Sequence, residues 1–323
     1  MLPRRLAFVL IFLGACSPME NATVNSTPVT SILARIEAGE GFSTRDVLEF
    51  QSQPNLLNEL IDSLQTRPPQ NKLAAVRLLI EMGRPVLKAE GELPDRPAPY
   101  INDPKAVAYL ANSLNDNESD VRNLASKTLV WEVPEILVRN HSKELIESIR
   151  HRPTIDEAAL LLGLTSNETA RTMINTNKEL HDVDPEATRM AFARLGDWKA
   201  ENAVIDAYIQ AKEPREKADY ARKLGYIGTV RSVLTLARDI RTPETYVWKM
   251  NSRRSMRLHV IEGLHQAFLN EPVFWRPFFK PENDLYYETI ERWLTRNLGV
   301  TSDRPRPEFL YEEDAPIIPG QGH

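Results

Sequence analysis

The sequence predicts an all-α protein whose helices stack into a right-handed α-α superhelix. Beyond about residue 28, apolar residues recur at intervals of three and four, the period of amphipathic helices, and strict alternation is almost absent. Stretches of this helical region also resemble one another at offsets of 29 and 33 residues. Self-similarity at a period of about 20 to 50 residues is typical of stacked helical units, each covering the apolar side of its neighbour.

The beginning of the chain predicts an export signal. Arg4 and Arg5 precede an apolar run from Leu6 to Leu13, and small residues follow. This run is too short to span a hydrocarbon core of about 30 Å, which takes roughly 20 helical residues. The only cysteine, Cys16, comes next, in the tetrapeptide Leu-Gly-Ala-Cys at positions 13–16. This tetrapeptide resembles the lipobox of bacterial lipoproteins.

The resemblance implies that residues 1–15 are a signal peptide and that Cys16 is the lipid-modified first residue of the mature chain. Each buried methylene contributes about 0.8 kcal/mol, and two or more acyl chains hold a protein stably at a membrane. By the sorting pattern of such lipoproteins, Ser17 in place of an aspartate favours the outer over the inner membrane where a cell has two. Plain secretion is the alternative, although ordinary signal cleavage prefers a small residue where Leu13 stands.

The composition indicates a globular protein that folds without disulfides. Of the 323 residues, 42% are hydrophobic and 26% are charged, which fits an ordinary water-soluble chain. Export compartments favour disulfides, but the single cysteine leaves none to form. The formal net charge of −5 argues against nucleic acid as a partner, because phosphate neutralisation supplies most non-specific affinity. Residues 16–28 are polar and predict a flexible tether that reaches on the order of 20 Å.

Prolines and glycines mark the predicted helix boundaries. We expect an N-terminal helical portion over residues 29–83, a proline-rich loop over residues 84–102 and the main helical array over residues 103–299. Four prolines in the loop exclude a continuous helix there. Predicted helix starts are Asp103-Pro104, Asp184-Pro185 and Lys280-Pro281, and predicted stops are Gly83, Gly163, Gly196, Gly225 and Gly299.

Two stretches carry the repeat most clearly. Residues 184–196 and residues 213–225 share an acid-proline start, an inner alanine and a leucine-glycine end, and residues 117–129, 156–163 and 254–264 are looser copies. These stretches resemble HEAT-like repeats of the phycobilisome-lyase type, above all Leu-Gly-Tyr-Ile-Gly-Thr-Val-Arg-Ser-Val-Leu at residues 224–234. The resemblance implies an armadillo-type superhelix with an extended concave face. A non-repetitive helical domain with similar alanine and leucine spacing is the alternative.

The C-terminal part of the array is rich in aromatic residues. Ten of them lie between Tyr246 and Trp293. Because an end repeat must cover its last apolar face, they predict an aromatic C-terminal cap. A partner-binding patch is the alternative, since tryptophan and tyrosine dominate interface hot spots. Residues 300–323 predict a disordered tail that is acidic and rich in proline.

No motif in the sequence indicates catalysis. The nucleophile elbow of serine hydrolases, the phosphate-binding loop and the dinucleotide fingerprint are all missing. His259, Glu262 and His265 share one helix and could chelate a metal weakly, but ordinary structural placement is the simpler interpretation. A di-iron hydroxylase built from HEAT repeats binds its metals with His-Glu dipeptides, and this sequence has none. We therefore predict no cofactor, no metal and no enzymatic activity.

The sequence predicts binding rather than chemistry. Lys249, Arg253, Arg254 and Arg257 form a basic cluster that could meet an anionic lipid, a glycan or an acidic protein surface; a solvated helix face is the alternative. Together with Trp248 and Trp275 they are the candidate partner-binding residues. The predicted function is a membrane-tethered scaffold whose concave face binds a protein in the periplasm or at the cell surface. An enzyme or small-ligand-binding protein with a site in the groove between repeats is the alternative.

Overall fold

A computed structural model describes residues 28–53, 55–66, 69–87, 96–98, 100–242, 245–247, 253–269, 271, 274 and 284–299. Within these residues the fold is all-α, and two short antiparallel strand pairs are its only sheet structure. No helix in this part of the chain has the length and apolarity that crossing a bilayer requires. The predicted signal peptide, Cys16, most of the tether and the tail lie outside the described residues.

Seventeen α-helices and one 3-10 helix are described. The first are α1 (Pro28–Glu37), α2 (Thr44–Gln51), α3 (Leu56–Thr66) and α4 (Lys72–Met82). The central ones are α5 (Pro104–Ser113), α6 (Ser119–Trp131), α7 (Glu135–Arg139), α8 (Ser142–His151), α9 (Ala158–Leu164), α10 (Glu168–Thr176) and α11 (Lys178–Val183). The last are α12 (Pro185–Arg194), α13 (Trp198–Gln210), α14 (Pro214–Ile227), α15 (Val230–Arg238), the 3-10 helix Asp239–Arg241, α16 (Met256–Ala267) and α17 (Asp284–Leu298).

The two strand pairs interrupt the helices at separate places. In the predicted proline-rich loop, β1 (Val86–Leu87) pairs with β2 (Arg96–Pro97), and the Ala98 amide donates to the Pro85 carbonyl at 2.7 Å. Between the 3-10 helix and α16, β3 (Thr245–Val247) pairs with β4 (Arg253–Ser255). The described residues of the loop thus contain no helix, as their prolines predict.

Most of the described helices from α3 onward pack in two layers. In the first layer, α4, α6, α9, α12, α14 and α16 contact one another in that order. In the second layer, α3 contacts α5, α5 contacts α8, α8 contacts α10, and α13 contacts α15. Consecutive helices such as α5 and α6, α9 and α10, α12 and α13, and α14 and α15 connect the layers. Each helix therefore covers its apolar stripe against two or more neighbours, and one continuous core runs through the stack.

Two of the predicted helix starts are confirmed. Asp103 caps α5, where its Oδ1 accepts from the amides of Lys105 at 2.8 Å and Ala106 at 3.0 Å. Asp184 caps α12 in the same way. The proline that follows each aspartate has no amide hydrogen, so none is left without an acceptor in the first turn. The aspartate accepts hydrogen bonds from the next two main-chain amides, which have no acceptor within the helix. The third predicted start, Lys280-Pro281, lies outside the described residues.

The predicted helix stops are only partly right. Gly83, Gly196 and Gly299 do follow helix ends, and Gly196 and Gly299 have φ values of +90° and +64°. Gly163 and Gly225 were expected to end helices, but they lie inside α9 and α14. The left-handed residue that ends α14 is Gly228, with φ of +65°. At Gly163 and Gly225 the neighbouring helices come too close for a side chain, and the backbone conformation does not require glycine.

Gly225 marks the closest contact between two helices of the first layer. A Cβ atom at Gly225 would lie 2.1 Å from the Gly263 carbonyl oxygen of α16, and a Cβ at Gly263 would lie 2.4 Å from the Ala221 carbonyl oxygen of α14. Both obstacles are main-chain atoms, so no side-chain rotation could make room. The two helices approach this closely only because both residues lack side chains.

Three of the C-terminal aromatic residues pack together. The ring centroids of Phe268 and Phe274 are 5.5 Å apart, and the Trp293 ring of α17 meets both of them at 5.0–5.1 Å in edge-to-face arrangements. Phe268 and Phe274 are buried. This contact brings α17 against the end of α16, where the sequence predicts an aromatic cap.

Candidate functional site

Three of the six residues that the sequence nominates for partner binding lie among the described residues. Cys16, Trp248, Lys249 and Trp275 lie outside the described residues. Arg253 and Arg254 belong to β4, opposite Val247 and Tyr246 of β3. Arg257 lies on α16 and is half-buried. Partner binding by this basic and aromatic group therefore stays a prediction.

The histidines of α16 take part in packing. His259 is 2% exposed, and its Nδ1 lies 2.8 Å from Glu262 Oε2, which also accepts from Arg222 of α14 at 3.1 Å. Burial opposes ionisation of Glu262, but the His259 and Arg222 contacts outweigh it and hold the pKa of Glu262 below its usual value. Burial lowers the pKa of His265 to about 4. No three possible metal ligands come together within the described residues.

A half-buried ionic cluster connects α7, α12 and α14. Arg194 Nη2 lies 2.6 Å from Glu135 Oε2, and Arg139 forms a second ion pair with Glu135. Arg194 also donates to the Tyr226 carbonyl at the end of α14, and Arg139 donates to Ser166 Oγ at 2.7 Å. Glu135 is thus shared between two guanidinium groups. The cluster joins secondary structure elements and leaves the acid engaged, so it is not a candidate for acid-base chemistry.

Tyr226 occupies the centre of the first layer. Its hydroxyl donates to the Leu160 carbonyl of α9 at 2.7 Å, and its ring lies 5.9 Å from Trp131 of α6 and 5.2 Å from the Arg194 guanidinium of α12. Burial raises the pKa of this phenol. In addition, Gln266 of α16 donates to the Val130 carbonyl of α6 at 3.1 Å. Side chains of the protein itself therefore fill this part of the first-layer face.

Two cavities flank the loop 152–157 that connects α8 to α9. The larger, of about 720 Å³, is a shallow groove between α8 and the pair α10–α11. We call it the threonine groove, because Thr169, Thr172 and Thr176 lie along it at helical spacing. Arg150, His151 and Lys178 also line this groove. Its lining is mainly polar, with Met173 as the main apolar side chain.

The smaller cavity, of about 290 Å³, lies on the other side of Pro153, which lines both cavities. We call it the acidic pocket, because Asp156, Glu157 and Asp184 line it. Lys127 is its only basic lining residue, and the Lys127 Nζ lies 3.1 Å from Asp156 Oδ2. Its apolar walls include Ile155, Ala158, Ala159, Leu180, Val183 and Ala187. The pocket lining therefore combines three carboxylates with aliphatic surface.

Glu157 is the electrostatically unusual residue of the acidic pocket. Its pKa is raised, first by burial and further by the charges of Asp156 and Asp184, and the hydrogen bond from Trp131 and the Lys127 charge oppose this rise only partly. An added positive charge in the pocket would relieve the repulsion among the three carboxylates. Its chemistry thus favours a cation, and the neighbouring groove favours a polar, hydrogen-bonding ligand.

The sequence did not predict either cavity, because their lining comes from segments far apart in the chain. Lys127 belongs to α6, Asp156 to the loop after α8, and Leu180 to α11. The one local signal is the regular threonine spacing on α10. No protein-family model matches the chain, and no curated protein or solved structure is significantly similar to it.

Proposed function

We propose that this protein is a lipid-anchored lipoprotein of the cell envelope, built from HEAT-like repeats, that binds a protein partner. The Leu-Gly-Ala-Cys tetrapeptide that ends at Cys16, after a charged and apolar leader, supports the anchor. Where the cell has two membranes, we place the protein at the outer one on the basis of Ser17. The folded part would then stand within on the order of 20 Å of the bilayer.

The packing of the helices supports the proposed stack of repeats. Helices of the first layer follow one another in chain order, and second-layer helices alternate with them. An arginine of one unit also binds the end of a following helix at two successive places. Arg171 of α10 donates to the Leu195 carbonyl after α12, and Arg194 of α12 donates to the Tyr226 carbonyl of α14. Arg171 lies on a second-layer helix and Arg194 on a first-layer helix, so the two contacts are not equivalent. Both nevertheless connect one helix pair to the next, as stacked repeats require.

The observation that carries partner binding is the threonine groove. The sequence predicts binding at the concave face of the superhelix. We take the first-layer face to be that surface, and around Tyr226 it is occupied by the protein's own side chains. The groove on the other layer is instead open and offers hydroxyl and amide groups in a row along α10. An extended peptide exposes main-chain amides and carbonyls that such groups can pair with. We therefore place the partner in the threonine groove.

A bulky substitution in the groove tests this placement. Thr172 is exposed and lines the groove, so Thr172→Trp should fill it without disturbing the core. Asn175 is exposed on the same helix but does not line the groove, so Asn175→Trp is the matched control. In cells, site-specific crosslinking from Lys178 should join the chain to one stoichiometric protein. We expect Thr172→Trp to reduce that crosslink at least tenfold and Asn175→Trp to leave it unchanged.

Two outcomes would contradict the binding proposal. One is the complete lack of a stoichiometric crosslinked protein in cells; the other is a crosslink that Thr172→Trp leaves intact. The anchor has its own test, because Cys16→Ser removes the acylated sulfur. We expect the wild-type mature protein to start at an acylated Cys16 by mass spectrometry and to partition with membranes, and Cys16→Ser to lose both properties. A bare thiol on the wild-type chain would refute the anchor.

A further inference from the structure

We propose that the acidic pocket binds a lysine side chain of the partner that lies in the threonine groove. This inference rests on the proposed function, because it names the chemistry of the same partner. The two cavities adjoin at Pro153, so a peptide in the groove passes the mouth of the pocket. A side chain that turns inward at this point would enter the pocket.

The walls of the pocket match an aliphatic stem. Leu180 and Ala187 are buried, and Val183, although apolar, is 56% exposed at the pocket. An exposed valine beside a cavity gains from being covered by an apolar group. The four methylene groups of a lysine side chain supply such cover along the length of a pocket of this size.

The carboxylates match the ammonium group at the end of that stem. The pocket lining has three acids, Asp156, Glu157 and Asp184, and one base, Lys127. Asp184 Oδ1 already accepts two main-chain amides of α12, so Asp156 and Glu157 are the acids with the most remaining capacity. The whole chain has a net charge of −5, which attracts a cationic segment from a distance.

Other cations fit the pocket less well. The ethanolamine head group of a lipid carries its amine next to a phosphate, which the three carboxylates would repel. A guanidinium is planar and broad and binds best to a carboxylate in the same plane. An ammonium is compact and can point its three donors at several carboxylates at once.

Lys127 provides an internal test of this idea. Its ammonium lies 3.1 Å from Asp156 and is 56% exposed, so it competes for the carboxylate that a bound lysine would use. Removing Lys127 should therefore increase the affinity for a lysine side chain. A purely structural role of the Lys127–Asp156 pair would produce no such gain.

The experiment is a titration of the purified full chain with Nα-acetyl-lysine amide, followed by methyl NMR of Ala158, Ala159 and Leu180. We expect these signals to shift with lysine and not with its Nε-acetylated form. Asp156→Asn and Glu157→Gln should each weaken binding about fivefold, and Lys127→Met should strengthen it about threefold. Asp182→Asn, at an exposed acid of α11 that lines neither cavity, should leave binding unchanged.

Several results would overturn the assignment. The assignment is wrong if the acetylated probe causes equal shifts, if lysine causes none, or if Lys127→Met does not increase the affinity for lysine. It is also wrong if 1,4-diaminobutane or an arginine probe binds more tightly than lysine. The two proposals can fail separately. If Asp156→Asn and Glu157→Gln leave the cellular crosslink unchanged, the lysine assignment of the pocket fails and partner binding in the groove stands. If the pocket binds lysine but no partner is crosslinked in cells, partner binding in the groove fails and the lysine site stands.

Discussion

The Tyr226 hydroxyl donates a 2.7 Å hydrogen bond to the main-chain carbonyl of Leu160, 66 residues earlier in the chain. This contact joins the C-terminal end of α14 to the middle of α9, a helix whose seven residues are all buried. The hydroxyl fits there because Gly163 has no side chain: a Cβ at that position would lie 2.4 Å from it. The hydrogen bond therefore connects two helices of the first layer that are not neighbours in the chain.

Replacing Tyr226 by phenylalanine tests how much this hydrogen bond contributes to stability. The change removes one buried donor and leaves the ring in place, so we expect the free energy of unfolding to fall by about 1–2 kcal/mol. Urea denaturation would measure the loss. Tyr220→Phe on the same helix is the control, because Tyr220 is only half-buried, and we expect it to change stability by less than about 0.5 kcal/mol. Equal effects of the two substitutions would contradict the prediction.

Replacing Gly225 by alanine should destabilise the protein strongly. In an ordinary helix, alanine is more stable than glycine by about 1 kcal/mol. At Gly225 the new methyl group would lie 2.1 Å from the Gly263 carbonyl, so α14 and α16 must move apart. We expect a loss of about 3 kcal/mol in thermal or urea unfolding, or loss of soluble protein.

Asp219→Ala is the matched control for Gly225→Ala, since Asp219 is exposed on the same helix. It should leave stability within about 0.5 kcal/mol of the wild type. A Gly225→Ala protein as stable as the wild type, or more stable, would show that the helices do not meet at their main chains.

The two glycines of the clearest sequence repeat show how far local pattern predicts this fold. Residues 184–196 and 213–225 both end in leucine-glycine, and the pattern predicts that both end a helix. Gly196 does follow the end of α12, with φ of +90°, but α14 continues past Gly225 to Ile227. Helix content and the helix starts at Asp103 and Asp184 follow from local periodicity and caps. Whether a glycine ends a helix or admits a neighbouring one depends on packing, which local sequence does not specify.

The candidate site could not be predicted in the same way. The acidic pocket needs α6, the loop after α8, and the helices α11 and α12 to meet, and no local motif encodes that meeting. Asp184 was identifiable only as a helix cap, which it is. Its role as a pocket wall depends on Asp156 and Glu157, which a separate loop brings beside it.

The ion pair between Arg194 and Glu135 should be strongly coupled. Both side chains are largely buried, with exposed fractions of 11% and 23%, and Glu135 also pairs with Arg139. Removing one partner leaves the other charged and poorly solvated. In a double-mutant cycle with Arg194→Met and Glu135→Gln, we expect a coupling free energy of about 2 kcal/mol from urea unfolding.

Lys127 and Asp156 form the control pair for that cycle. Their side chains are 56% and 44% exposed, so solvent screens the pair and its coupling should stay below about 1 kcal/mol. A coupling at Arg194 and Glu135 no larger than at this exposed pair would mean that the half-buried cluster does not stabilise the junction of α7 and α12.

The buried His265 predicts how stability depends on pH. Burial lowers its pKa from 6.5 to about 4, although the negative charge of Glu262 opposes this shift, and its Nδ1 has no hydrogen-bond partner in the part of the chain that the structure describes. Below pH 6.5 the unfolded chain therefore binds a proton that the folded chain does not accept until about pH 4. His265 should not reduce stability above pH 6.5, and it should lower the free energy of unfolding by up to about 3 kcal/mol between pH 6.5 and 4.

The variant His265→Leu tests this pH dependence, because it should lose the part of the stability decrease that His265 causes. The control is His151→Gln, at a side chain that is 68% exposed, and it should show the same decrease as the wild type. Urea unfolding from pH 7.5 to 4 measures both variants, and parallel curves for His265→Leu and the wild type would contradict a buried neutral imidazole.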